Sequence, residues 1–144
     1  MFKNILLATD GSDDAMHAAE AVAKIAEQFK SRVVLVTVYA PPILTAESAN
    51  YAPTPALIAD IQTSIIAQTA SKFTKRGIDY ETRMEIGNAA ATILSVAELE
   101  HSDLIVLGSH GVGGIRRFLL GSVSDRVGHY ARCAVLIVKR EHDR

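Results

Sequence analysis

Apolar residues recur along this chain in two alternating rhythms. Ile5-Leu6-Leu7-Ala8 is a short continuous apolar run that stops at Thr9-Asp10-Gly11-Ser12, and Ala15, Ala19, Val22, Ala26 and Phe29 then follow at helical spacing. The pattern predicts a strand, a turn and a helix, with Ser12 at the N-cap and Asp13 and Asp14 complementing the positive helix end. Val33 to Tyr39 is β-branched and almost wholly apolar, as in a central strand covered on both faces. Pro41, Pro42, Pro53 and Pro55 mark an irregular excursion. Thr54-Pro55 then opens a long helix whose expected buried side carries Leu57, Ile61, Ile65 and Phe73, and which Gly77 terminates. From Ile78 to Ile86 the residues alternate strictly. Ile78, Tyr80, Thr82, Met84 and Ile86 take one face and Asp79, Glu81, Arg83 and Glu85 the other, which predicts a half-exposed edge strand guarded by charge. Gly87-Asn88 precedes a helix carrying Ala90, Ile93, Leu94 and Ala97, and Leu104 to Leu107 is the next strand. A helix from Ser122 to about Ala131 and a strand from Ala134 to Val138 complete the series. Five strands alternating with four helices predict an α/β fold, a doubly wound parallel sheet, in one domain spanning 1–144.

Composition narrows the classes of partner. With 144 residues, 49% of them hydrophobic, the chain can bury one sizeable core. The formal net charge is -1, from 15 basic and 16 acidic side chains interspersed, so there is no electrostatic footprint for nucleic acid or an anionic membrane. The first apolar run turns polar at Thr9, too soon for a signal peptide or a membrane span, which points to the cytoplasm. Cys133 opens the apolar run Cys133-Ala134-Val135-Leu136-Ile137-Val138 and reads as a buried thiol without a redox role. His17, His101, His110, His129 and His142 show no metal-ligand spacing.

In open parallel sheets ligands settle at the carboxyl ends of strands. Two segments qualify: Thr9-Asp10-Gly11-Ser12 after the first strand and Gly108-Ser109-His110-Gly111 after the fourth. The second continues to Gly121-Ser122-Val123-Ser124-Asp125, where a helix begins. Glycine lets backbone N–H groups approach a phosphate with no Cβ in the way, and a helix N-terminus adds unpaired donors and a positive dipole end. Ser122 is expected to cap that helix, with Asp125 three residues on as a short-armed capping-box partner. The alternative is that the glycines only turn the chain.

Gly108-x2-Gly111-x9-Gly121-Ser122 resembles the G-x2-G-x9-G-S/T signature of ATP-binding universal stress proteins. The likeness extends over nearly the whole chain, from Ile5-Leu6-Leu7-Ala8-Thr9-Asp10-Gly11-Ser12 to the closing run after Cys133. The resemblance implies the adenine nucleotide alpha hydrolase-like sheet order 3-2-1-4-5. It also implies an ATP-binding set of Thr9, Asp10, Val38, Gly108, Ser109, His110, Gly111, Gly121, Ser122, Val123 and Ser124. In that set the glycines, Ser122, Val123 and Ser124 surround phosphates and ribose. Asp10 meets the nucleoside end, because a carboxylate accepts from ribose hydroxyls or an adenine amine but repels phosphate. Val38 offers backbone groups to the adenine edge, and Mg2+ bridges phosphate oxygens. Gly113 and Gly114 are extra glycines in the spacer, Arg116 and Arg117 either screen phosphate charge or are solvated, and His110 contributes backbone geometry.

Competing motifs fail. There is no G-x4-G-K-S/T, Arg116 stands where a dinucleotide fingerprint requires its third glycine, and G-x-S-x-G is absent. The third strand ends in Ile86-Gly87, without the phospho-acceptor carboxylate of a receiver domain, and Ala8-Thr9-Asp10-Gly11-Ser12 lacks the paired glycines of adenylating pyrophosphatases. With no general base evident beside the loop, the expectation is a stress-response or signalling module that binds ATP, with no catalytic residue assigned. A slow ATPase and a dimeric interaction protein with a vacant loop are the alternatives. In the implied strand order one edge strand is charged and the other, Ala134 to Val138, is unbroken apolar sequence, which predicts a homodimer paired along that last strand.

Overall fold

The computed structural model describes residues 1–110 and 121–140. Strand β1 (Asn4–Ala8) leads into α1 (Asp13–Phe29) and β2 (Arg32–Tyr39). After a single 3-10 turn at Ala49–Tyr51 come α2 (Pro55–Thr74), β3 (Tyr80–Ile86), α3 (Ala89–Leu99), β4 (Leu104–Gly108), α4 (Ser122–Tyr130) and β5 (Ala134–Val138). All strand pairs are parallel, in the order β3-β2-β1-β4-β5. Sheet order and helix count are as the sequence and its resemblance implied.

Strand periodicity divides the core in two. Ile5, Leu7, Val33, Leu35, Leu104 and Val106 face α1 and α2, where Ala18, Ala19, Val22, Ala23, Ala26, Ala70 and Phe73 meet them. Leu6, Ala8, Val34, Val36, Ile105 and Leu107 face the other way, onto Ala90, Ile93, Val96 and Ala97 of α3 and Val127 of α4. Each such leucine, isoleucine or valine contributes about 1.5–3 kcal/mol on burial. Register places Leu6 beside Val34 and Ile105, so the two layers continue across the sheet.

Three expectations about burial are corrected. Leu57 and Ile61 are 49% and 41% exposed. Phe73 is buried as expected, and it shares the buried side of α2 with Gln62, Thr69 and Ala70. Gln62 Nε2 donates to Thr37 O at 3.3 Å and Glu85 O at 2.8 Å, near the carboxyl ends of β2 and β3, so residues before it extend past the sheet. Phe29, the last residue of α1, is at the surface and packs edge-on against Phe2. On β3 only Tyr80, with Ile78 before it, packs into the core, while Met84 and Ile86 are 47% and 59% exposed. Arg83 and Glu85 on the opposite face are half-buried because Arg83 binds both Glu85 and Glu100 of the α3 C-terminus. Among the described residues no helix is long and apolar enough to cross a membrane. Cys133 is half-buried, and burial pushes its thiol up.

Candidate functional site

The crossovers leave β1 and β4 toward opposite sides of the sheet, which opens a crevice above their carboxyl ends. A cavity of about 400 Å³ lies there. Its apolar lining includes Ala8, Ala15, Val36, Val38, Ile93 and Leu107; its polar rim is Thr9, Asp10, Ser12, Ser109, His110 and the run Gly121 to Ser124. Thus Thr9, Asp10, Val38, Gly108, Ser109, His110, Gly121, Ser122, Val123 and Ser124 are brought to one cavity. Gly111, with Gly113, Gly114, Arg116 and Arg117, lies outside the described residues.

The first rim segment is a self-bonded turn. Thr9 N donates to Val36 O at 2.9 Å, extending the sheet by one residue. The Thr9 hydroxyl, 2.9 Å from that of Thr69, also accepts from Gly11 N at 3.3 Å, so it holds the turn. Asp10 Oδ1 accepts from Ser12 N at 3.0 Å, and Gly11 supplies the left-handed residue this tight bend needs (φ +78°). Ser12 then caps α1 through Ala15 N at 3.2 Å, as expected.

The second segment is joined to the start of α4. Ser109 O accepts from Gly121 N at 2.7 Å and from the Ser124 hydroxyl at 2.9 Å. Ser109 and Ser124 are buried, and their hydroxyls serve the fold rather than the cavity. The cap assignment is corrected: Gly121 is the N-cap of α4, with no side chain to cap it, and Ser122 is the first helical residue. Asp125 N bonds to Gly121 O, so the N–H groups of Ser122, Val123 and Ser124 have no intrahelical acceptor. Those three residues line the cavity, and the positive end of the α4 dipole opens onto it.

The glycines have a packing role that the sequence did not show. A Cβ on Gly108 would lie 2.6 Å from Asp14 Cβ and 2.7 Å from Asp14 C, and one on Gly121 would lie 2.9 Å from Ser109 O. Both glycines are therefore required by the protein's own packing: Gly108 lets α1 lie on β4, and Gly121 lets the rim close on itself.

Sequence reasoning missed the apolar floor and one carboxylate. Ala8 pairs with Val36, and Leu107 lies on the same face one strand over, so strand alternation could have identified these floor residues. Asp14 was assigned to the helix dipole, yet it is 3% exposed and accepts from the Ser109 hydroxyl at 2.8 Å and from His110 N at 3.0 Å. Nothing local distinguishes it from Asp13, which is exposed. Among the described residues no group of three His, Cys, Asp or Glu side chains is arranged to hold a metal ion.

The sequence profile described as "Universal stress protein family" matches residues 1–139 of this chain. A universal stress protein of Methanocaldococcus jannaschii is 32% identical over 142 residues, covering 97% of this chain and 84% of that one. Among solved structures, the hypothetical protein MJ0577 superposes with a TM-score of 0.82 at 26% identity, over 98% of each chain. A universal stress protein in complex with cAMP has a TM-score of 0.74 at 24% identity, covering 95% and 97% of the two chains. One from Archaeoglobus fulgidus in complex with dAMP has 0.72 at 20%, covering 96% and 98%.

Proposed function

This chain belongs to the universal stress protein family, and from that membership we propose that it binds an adenine nucleotide, specifically ATP, at the carboxyl end of β1 and β4. The observation that carries the reading is the uncapped start of α4, which opens its donors onto the same cavity that Asp10 and an apolar floor line. Two proteins of the same fold hold cAMP and dAMP, which supports the adenine nucleotide class. The G-x2-G-x9-G-S/T spacing of Gly108, Gly111, Gly121 and Ser122 supports the triphosphate.

In this reading the base lies over Val36 and Ile93 with its edge toward the Val38 backbone. Asp10 accepts from the ribose hydroxyls, and the phosphates face the N–H groups of Ser122, Val123 and Ser124. Thr9, Ser109 and His110 hold the rim. Mg2+ fits as a companion of the phosphates: with no protein cluster for it among the described residues, phosphate oxygens and water supply its ligands. The function is nucleotide binding in a cytoplasmic stress-response or signalling module, with hydrolysis slow or absent. Calorimetric titration of the purified chain with ATP and Mg2+ tests this, and no heat at millimolar ATP, with no nucleotide carried through purification, would refute it.

The oligomer we propose is a homodimer along β5. That strand is at a sheet edge and Leu136 on it is 36% exposed, whereas the opposite edge presents the charged residues of β3. Light scattering should give twice the monomer mass at tens of micromolar; a monomer there removes the proposal.

A further inference from the structure

The buried carboxylate of Asp14 is divided between two parts of the molecule. Its Oδ2 accepts from the Ser109 hydroxyl and the His110 N–H, which hold the rim of the cavity. Its Oδ1 lies 2.6 Å from Arg140 Nε, a contact of charge rather than a well-directed hydrogen bond. Arg140 is the second residue beyond β5, the strand at the sheet edge. The same edge is tied to the rim by its backbone, because Ser109 N donates to Val138 O at 3.0 Å. Ser109 in turn holds Gly121 and Ser124 at the start of α4. Among the described residues, exposed Asp13 also lies near this pair, its Oδ2 3.6 Å from Arg140 Nη1, as does the His110 ring, whose Nδ1 is 3.6 Å from Asp14 Oδ2.

A carboxylate this deeply buried depends on its counter-charge and hydrogen bonds, and removing one partner leaves an uncompensated charge. We infer that the Asp14–Arg140 ion pair regulates the nucleotide site from the C-terminal edge of the sheet, with Asp14 as a positioning residue that acts through Ser109 and His110. This rests on the nucleotide-binding reading above. When Arg140 is seated, Asp14 holds the rim against the first turn of α4. When Arg140 is drawn away, the carboxylate loses its counter-charge, the rim loosens and nucleotide affinity falls. Coupling is reciprocal, so bound nucleotide favours the seated Arg140 and opposes whatever displaces it.

The test uses the full chain with Arg140→Gln, Arg140→Lys and the double variant Asp14→Asn with Arg140→Gln. Two readouts are needed: affinity for ATP with Mg2+, and amide hydrogen exchange by NMR without nucleotide. Arg140→Gln should weaken ATP binding about tenfold, within the usual range of coupling between sites. It should also speed exchange at the His110 amide about tenfold while leaving Ala70 and Phe73 in α2 unchanged. Arg140→Lys keeps the charge and should stay within about threefold of the parent. The double variant should return to within about threefold, because the asparagine oxygen still accepts from Ser109 and His110 while its amide faces a neutral partner. Unchanged exchange at Ala70 and Phe73 separates this from a general loss of stability, which would speed exchange there as well. Unchanged exchange at His110 in Arg140→Gln would overturn the inference whatever ATP does. Faster exchange with unchanged ATP affinity, or a double variant no better than Arg140→Gln, would overturn the regulatory role. A parent that binds no ATP but whose His110 exchange responds to Arg140→Gln would remove the nucleotide reading and leave the link between Arg140 and the rim supported.

Discussion

At the amino end of the sheet, Asp103 accepts the Lys3 N–H at 2.9 Å and the Asn4 N–H at 3.0 Å, and Asn4 Nδ2 donates to His101 O at 3.1 Å. Glu100 joins the same end by accepting from Arg32, at the start of β2, at 2.8 Å and from Arg83 at 3.0 Å. At the carboxyl end the helix-start donors of Ser122, Val123 and Ser124 instead open onto a cavity of about 400 Å³. The two ends are made of the same strands and similar residues. What separates them is whether the polar groups face one another or face a space.

The comparison can be broken most severely at Gly108. Gly108→Val drives a side chain into the backbone of α1 at Asp14, and denaturant unfolding should show a loss of about 3 kcal/mol or more, with the cavity lost as well. Retention of parent stability would mean that the helix does not sit on β4 as described.

A sharper contrast comes from one carboxylate at each end. Asp103→Ala leaves two backbone N–H groups to water and should cost about 1–3 kcal/mol, with ATP affinity unchanged. Asp10→Ala should do the reverse, lowering ATP affinity about tenfold while stability shifts by less than about 1 kcal/mol. Paired calorimetry and unfolding curves on the two variants read this directly. If both lose stability and neither loses affinity, Asp10 is a turn residue only.

Glu100→Gln is the mildest change. Hydrogen bonds from Arg32 and then Arg83 hold the Glu100 carboxyl below the usual glutamate range despite partial burial. A depressed folded pKa gives stability that is complete above the unfolded value and lost as pH falls through the folded one. The parent should therefore exceed the variant by less than about 1 kcal/mol at neutral pH. The gap should close below about pH 4. A gap that widens in acid would contradict the ion-pair assignment.

Much of this was legible along the chain. Each strand and helix appears in the hydrophobic pattern because apolar spacing is a local property, and the Ser12 and Thr54 caps were readable for the same reason. The G-x2-G-x9-G-S/T spacing and the turn after β1 pointed to one end of the sheet, and ten of the proposed binding residues line one cavity there. The failures share a cause. Leu57, Ile61, Met84 and Ile86 have the right spacing but stand beyond the elements that would cover them, and spacing does not say where cover ends.

The sequence by itself determined the alternation of elements, the family and the polar character of the two loops that meet above β1 and β4. Tertiary structure alone decided which polar groups those loops leave facing the cavity. Asp13 and Asp14 are neighbours of the same type in the same helical turn, yet one is in solvent and the other is buried against Ser109, His110 and Arg140. Gly108 and Gly121 read alike as clearance for a ligand, yet each makes room for a different part of the protein itself. Burial and close approach depend on residues distant in sequence: Asp14 and Ser109 are 95 positions apart, and only folding brings them within 2.8 Å.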